Sequence, residues 1–89
     1  MKKEITREDF DQAVEAIWTE IEYQNSLPRR TDSSEAKDVA GFLTLGDRYV
    51  RLTQDIWADN AGDEFALPGL RKLAAIFVRS MVYCGITTR

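Results

Sequence analysis

From Arg7 onward the apolar residues recur at helical spacing. Phe10, Val14, Ile17 and Ile21 form one stripe, widened by Ala13 and Trp18, while Asp11, Glu15, Glu20 and Glu22 fall largely outside it. That period predicts an amphipathic helix over 7–24. Thr6 supplies a hydroxyl to cap a free first-turn amide. Ile5 and Phe10 have hydrophobic-staple spacing, and Glu8 and Asp9 suit the positive end of the helix dipole. The pattern stops at Asn25. From there to Ser34, Pro28 and several turn formers interrupt it, with Arg29 and Arg30 as an exposed basic pair.

A second helix is predicted over 33–58, with Glu35 three residues after Asp32 in a capping-box arrangement. Its apolar stripe takes in Val39, Phe42, Leu43, Tyr49, Val50, Ile56 and Trp57, with Gly46 and Thr53 among them. A glycine on a buried stripe implies close approach of another helix, because it otherwise costs ~1 kcal/mol against alanine. Asp47, Arg51 and Asp55 pair at i,i+4 on the wet face. Asn60 and Gly62 are stop signals. A third helix is predicted over 66–84, with Pro68 in its first turn and Gly85 ending it.

This third helix is apolar nearly all round. Between Leu70 and Cys84 its only charges are Arg71, Lys72 and Arg79. Such a helix must be covered on every side, and two neighbours cover only part of it. The pattern therefore predicts an all-α, three-helix bundle, with room for a short extra turn, occupying 1–89 as a single domain. It also predicts a homo-oligomer in which third helices, or third and second helices, meet across a symmetry axis.

Charge adds an asymmetry. Residues 1–38 hold ten of the fifteen acids, and after Glu64 there is none, while Arg71, Lys72, Arg79 and Arg89 follow. An acidic first helix and a basic third one attract each other within the fold; alternatively the basic helix meets an anionic ligand. The net charge of −3 argues against a surface that grips duplex nucleic acid. No apolar run is long enough for a membrane span, and Met1 to Glu4 lack the apolar core of a signal peptide. The expected location is the cytoplasm. The lone cysteine, Cys84, excludes an internal disulfide.

The catalytic repertoire is narrow. There is no histidine, hence no His-based nucleophile system and no zinc-finger pattern. No Gly-rich phosphate loop is present. Carboxylates remain: Glu15, Glu20 and Glu22, with Asp47 or Asp55, would be the candidates to hold Mg²⁺ against a triphosphate. Their plain reading is a solvated acidic face.

The run Glu20-Ile21-Glu22-Tyr23-Gln24, the Arg/Ser loop after it, Phe42-Leu43, Arg48-Tyr49, Leu70-Arg71-Lys72-Leu73-Ala74-Ala75 and Met81 to Gly85 together resemble small phage and prophage proteins grouped with the MazG-like all-α NTP pyrophosphatases. The resemblance implies a helical scaffold with a nucleotide-sized pocket. It also implies Mg²⁺ held by a Glu-x-x-Glu pair, which this chain does not contain. Without such acids, phosphate charge must be met by Arg, Lys and backbone amides.

The expectation is thus a non-catalytic protein that sequesters a small phosphorylated nucleotide, similar to phage proteins that bind immune signals such as cyclic dinucleotides or ADP-ribose derivatives. It uses no cofactor and would act in a host-cell cytoplasm. Arg71, Lys72 and Arg79 would hold phosphate, joined by Arg29 and Arg30, with Tyr23 or Tyr83 stacking on the base. Two alternatives stand beside it: a Mg²⁺-dependent nucleotide pyrophosphohydrolase using Glu15, Glu20 and Glu22, and a protein-binding module that inhibits a host factor. Trp18, Tyr49 and Trp57 lie on apolar stripes and read as core.

Overall fold

The computed structural model describes residues 3–28, 36–60 and 62–89. It contains three helices, α1 (Arg7–Ser26), α2 (Val39–Asn60) and α3 (Asp63–Cys84), and no strand among the described residues. None of these helices is long and apolar enough to cross a membrane.

The start of α1 follows the local signal. Thr6 Oγ1 accepts from the Asp9 amide at 3.1 Å, and the Asp9 carboxylate accepts from the Thr6 amide at 3.1 Å, a complete capping box. The helix runs to Ser26, two residues beyond the predicted end. Leu27 then turns extended (φ −74°, ψ 150°), as the residue before a proline must.

The start of α2 differs from expectation. Asp32 and Glu35, the predicted cap and its partner, lie outside the described residues, but residues 36–38 are not helical. Asp38 caps instead: its carboxylate accepts from the Gly41 amide at 2.8 Å and its carbonyl from the Phe42 amide at 3.0 Å. Phe42, four residues after Asp38, is buried against Tyr83 of α3.

Helix α3 begins three residues earlier than predicted, with Asp63 and Glu64 in its first turn. Pro68 therefore sits in the second turn, where its missing N–H leaves the Glu64 carbonyl without its helical donor. What favours the earlier start is a tertiary bond: the Trp57 indole N–H donates to Asp63 Oδ1 at 2.8 Å, tying the end of α2 to the beginning of α3. At the other end Gly85 takes φ 135°, a conformation that favours glycine, and its amide donates to the Met81 carbonyl at 2.9 Å.

Helices α2 and α3 form an antiparallel hairpin. Its register runs Phe42 against Tyr83, Gly46 against Phe77, Tyr49 against Lys72, Thr53 against Gly69 and Trp57 against Asp63. Gly46 is buried and Phe77 lies on it: a Cβ there would come within 2.5 Å of the ring, so the glycine on the stripe does admit a neighbouring helix. Gly69 plays the same part from the other helix, against Thr53. Among the described residues, the buried hydrophobic side chains are Phe42, Ala75 and Ile76.

Helix α1 packs on a different side of α3, and among the described residues it does not pack on α2. The bundle is consequently open, with α3 in the middle. Its Cα radius of gyration is 14.5 Å, against about 12 Å for a compact chain of this length. Much of the apolar stripe of α1 stays uncovered: Phe10, Val14 and Trp18 are exposed. The stripe of α2 divides, with Phe42, Gly46, Tyr49 and Thr53 turned towards α3 while Val39, Leu43, Val50, Ile56 and Trp57 are exposed.

Candidate functional site

The contact between α1 and α3 is built from polar groups at the C-terminal half of α1. Glu20 is the one buried residue of that helix. Its Oε1 accepts from Arg71 Nε at 3.0 Å, with the carboxylate side chain only 8% exposed and the arginine 44%. One turn on, Arg79 Nη2 donates to Gln24 Oε1 (3.3 Å) and Asn25 Oδ1 (3.2 Å), while Nη1 donates to the Tyr83 hydroxyl (3.3 Å). The guanidinium also lies 5.9 Å from the centre of the Tyr83 ring. The attraction between acidic α1 and basic α3 is therefore realised, through Glu20 and Arg71.

Arg79 differs from Arg71 in one respect. All its partners are neutral oxygens, and among the described residues no carboxylate lies within ion-pair distance of it. It is a half-buried cation whose charge is solvated by amides and a phenol but not neutralised.

Beside Arg79 opens a cleft of about 330 Å³ between α1 and α3. Ile17 and Ile21 from α1 and Val78 and Val82 from α3 make its apolar walls, with Val14 at one end. Trp18 and Tyr83 supply aromatic surface, and Asn25 and Arg79 the polar groups. The volume falls at the small end of the range for ligand pockets, which are mostly apolar with a few placed polar groups. Tyr83 is held edge-on by Phe42 of α2, with ring centres 5.8 Å apart and planes at 74°.

The residues proposed from sequence are sorted by this geometry. Arg79 and Tyr83 line the cleft. Arg71 sits on the same side of α3, committed to Glu20. Lys72 points the other way, its ammonium 4.3 Å from the centre of the Tyr49 ring on α2. Tyr23 is exposed and does not line the cleft. Arg29 and Arg30 lie outside the described residues. The three cations of α3 thus serve two different neighbours and do not form one phosphate cradle.

The carboxylates do not converge either. At 100° per residue, Glu15 and Glu22 share one face of α1 and Glu20 lies nearly opposite. Glu20 is turned into α3 while Glu15 and Glu22 are exposed. Among the described residues, no group of three Asp, Glu, His or Cys side chains is arranged to hold a metal ion.

No family model matches the chain, and no curated protein or solved structure matches it. The chemistry of the cleft must be read from its own residues. Two of them, and the Gln24 that accepts from Arg79 beside them, escape sequence reasoning. Asn25 reads as a turn former but is still helical, which aims its amide at α3. Gln24 reads as the last helical residue and as the end of the run that carries the resemblance, with no sign that it meets Arg79. Trp18 widens the apolar stripe and reads as core, yet it is exposed beside the cleft.

Proposed function

We propose that this protein is a non-catalytic binding protein for a small phosphorylated ligand of nucleotide type, taken up in the cleft between α1 and α3. The observation that carries the reading is Arg79: a half-buried guanidinium whose partners among the described residues are all neutral, at the edge of an apolar cleft that also presents Trp18 and Tyr83. An anionic oxygen offers Arg79 a charge-assisted bond stronger than those it makes to the two amides. A flat base suits the aromatic and aliphatic walls, where stacking contributes about 1–3 kcal/mol. The pyrophosphohydrolase alternative has less support, since Glu15, Glu20 and Glu22 do not share a face.

The same reading has the protein working as a homo-oligomer. The chain exposes 7736 Å², whereas a compact monomer of its mass exposes about 5,300 Å². The excess matches the roughly 1,000–2,500 Å² that each partner loses in an obligate dimer.

Trp18 is the natural probe. In a Trp57→Phe background, its fluorescence is expected to change on titration with one or more members of a panel of nucleoside phosphates, cyclic dinucleotides and ADP-ribose derivatives. Arg79→Ala should weaken that binding by roughly 10- to 100-fold, the worth of a hydrogen bond to a charged group. Lys72→Ala, altered on the α2 side, should leave it unchanged. If no member of the panel changes either the fluorescence or the melting temperature, the reading is wrong.

A further inference from the structure

The α2–α3 hairpin has two sides, and α1 occupies the neighbourhood of only one. On the side away from α1, α3 carries Leu67, Leu70, Ala74, Phe77 and Met81, alternately three and four residues apart. This is the a/d spacing of a packing seam. On α2, Leu43, Val50 and Trp57 follow one another at intervals of seven. Because the hairpin is antiparallel and Phe77 lies on Gly46, the two stripes fall on the same side and run edge to edge. They make one apolar face roughly 20 Å long, at 1.5 Å per helical residue. Leu43 and Leu70 are 59% and 57% exposed, an extent that a finished surface of a small protein does not need. No charge interrupts the stripes. The ion pair of Arg51 Nε with Asp47 Oδ2, at 3.1 Å, borders them as a polar rim.

We propose that a second copy of this chain covers this face, its hairpin laid antiparallel on the first about a two-fold axis near Val50 and Ala74, closing a four-helix bundle with each α1 on the outside. The proposal rests on the self-association inferred above and adds where it occurs. Three features select this occupant. First, the face is self-complementary. One end is a hollow of about 420 Å³ walled by Thr53, Trp57, Ala66, Leu67 and Leu70, with Gln54 and Asp63 as its polar lining and the Asp63 carboxylate accepting from the Trp57 indole; the other end carries the bulk of Leu43, Phe77 and Met81. A two-fold axis between them sets the bulky end of each copy into the hollow of the other, as an isologous interface requires. Second, the middle of the face is small: Ala74 lets the two α3 helices approach closely there. Third, the uncharged centre offers nothing to a polyanion or a charged peptide, while the surface of the whole chain exceeds that of a compact monomer by an area of the size a dimer subunit loses. The α1–α3 cleft lies on the other side of α3 and stays open in this dimer. Assembly and ligand binding thus use different faces of one helix.

Light scattering coupled to size exclusion at micromolar concentration tests both layers. The wild type is expected to be a dimer. Leu70→Glu, with helicity retained, should raise the dissociation constant by roughly 30-fold or more, as loss of an interface hot spot does, and elute as a monomer. Phe10→Glu, on the exposed stripe of α1, should remain dimeric. A monomeric wild type overturns self-association altogether. A wild-type dimer that Leu70→Glu leaves intact, or that Phe10→Glu dissociates, overturns this face alone. Should Leu70→Glu fail to fold, Ala74→Cys in a Cys84→Ser chain provides the check. Two copies of residue 74 near the axis should form an intermolecular disulfide on mild oxidation, and Val82→Cys, on the α1 side, should not. Cross-linking through residue 82 and not through residue 74 rejects the arrangement.

Discussion

Replacing Arg71 with alanine should cost about 2–3 kcal/mol of stability, and Glu20→Ala only about 1 kcal/mol, although the two residues form one ion pair. The asymmetry comes from burial. The Glu20 side chain is 8% exposed and the Arg71 side chain 44%. Removing the arginine strands a largely buried carboxylate in the α1–α3 contact, without its ion-pair partner among the described residues. Removing the glutamate leaves a guanidinium that can turn outwards. The estimate for Arg71→Ala lies below the range for a fully buried pair, because half of this one is in contact with water. A third variant sharpens the test. Glu20→Leu with Arg71→Met replaces the pair by apolar side chains and should return close to wild-type stability, since the favourable Coulomb energy of a buried pair is largely offset by its desolvation. Urea unfolding at one fixed protein concentration is the measurement, the concentration being held because self-association would add to the apparent stability. Equal losses from the two alanine variants would mean that the pair behaves as an ordinary surface bridge.

The second large effect is a reversal of sign. Gly69 is helical, and exchanging a helical glycine for alanine normally gains about 1 kcal/mol. Here Gly69→Ala should instead lose about 1–3 kcal/mol, the cost of overpacking a close contact. An added Cβ would overlap the Oγ1 and Cγ2 atoms of Thr53. The threonine cannot swing aside freely, because its hydroxyl donates to the Tyr49 carbonyl at 2.7 Å and its branched Cβ is stiff. Gly46→Ala provides the comparison. Its obstacle is the end of the Phe77 ring, which is partly exposed and has solvent to move into, so the loss there should be smaller. Thr53→Ala should recover most of the damage done by Gly69→Ala, giving a clear coupling energy in a double-mutant cycle. A gain in stability from Gly69→Ala alone would show that the two helices are farther apart at this crossing than the register requires.

These two sites show where sequence reading succeeds and where it stops. Gly46 is legible because it falls on an apolar stripe. Gly69 is not, because beside Pro68 it reads as part of a helix beginning. Thr6 and Gly85 are legible as helix ends because capping involves groups within four residues of one another. Asp38 loses out to Asp32 on sequence because Glu35 completes a capping-box pattern with Asp32, whereas Asp38 caps through its carboxylate alone, ahead of the buried Phe42. At the cleft, the cations of α3 are plain in the sequence, and so are the acids of α1. The pairing is not: Arg71 takes Glu20 and Arg79 takes Gln24 and Asn25, across separations of fifty residues and more.

The sequence by itself determined three helices, their amphipathic stripes, the segregation of acid to α1 and base to α3, and the excess of apolar surface on α3. All of these depend on spacing within a turn or two, or on composition. Only the tertiary structure decided which neighbour each face of α3 receives. With α3 in the middle, one side of it goes to α2 and another to α1, and Leu67, Leu70, Phe77 and Met81 are left exposed. A helical period places residues on a common face but does not say what will cover it. That choice depends on the register and crossing of helices distant in sequence, where a few buried contacts, Phe77 on Gly46, Thr53 on Gly69 and Arg71 on Glu20, outweigh any local preference.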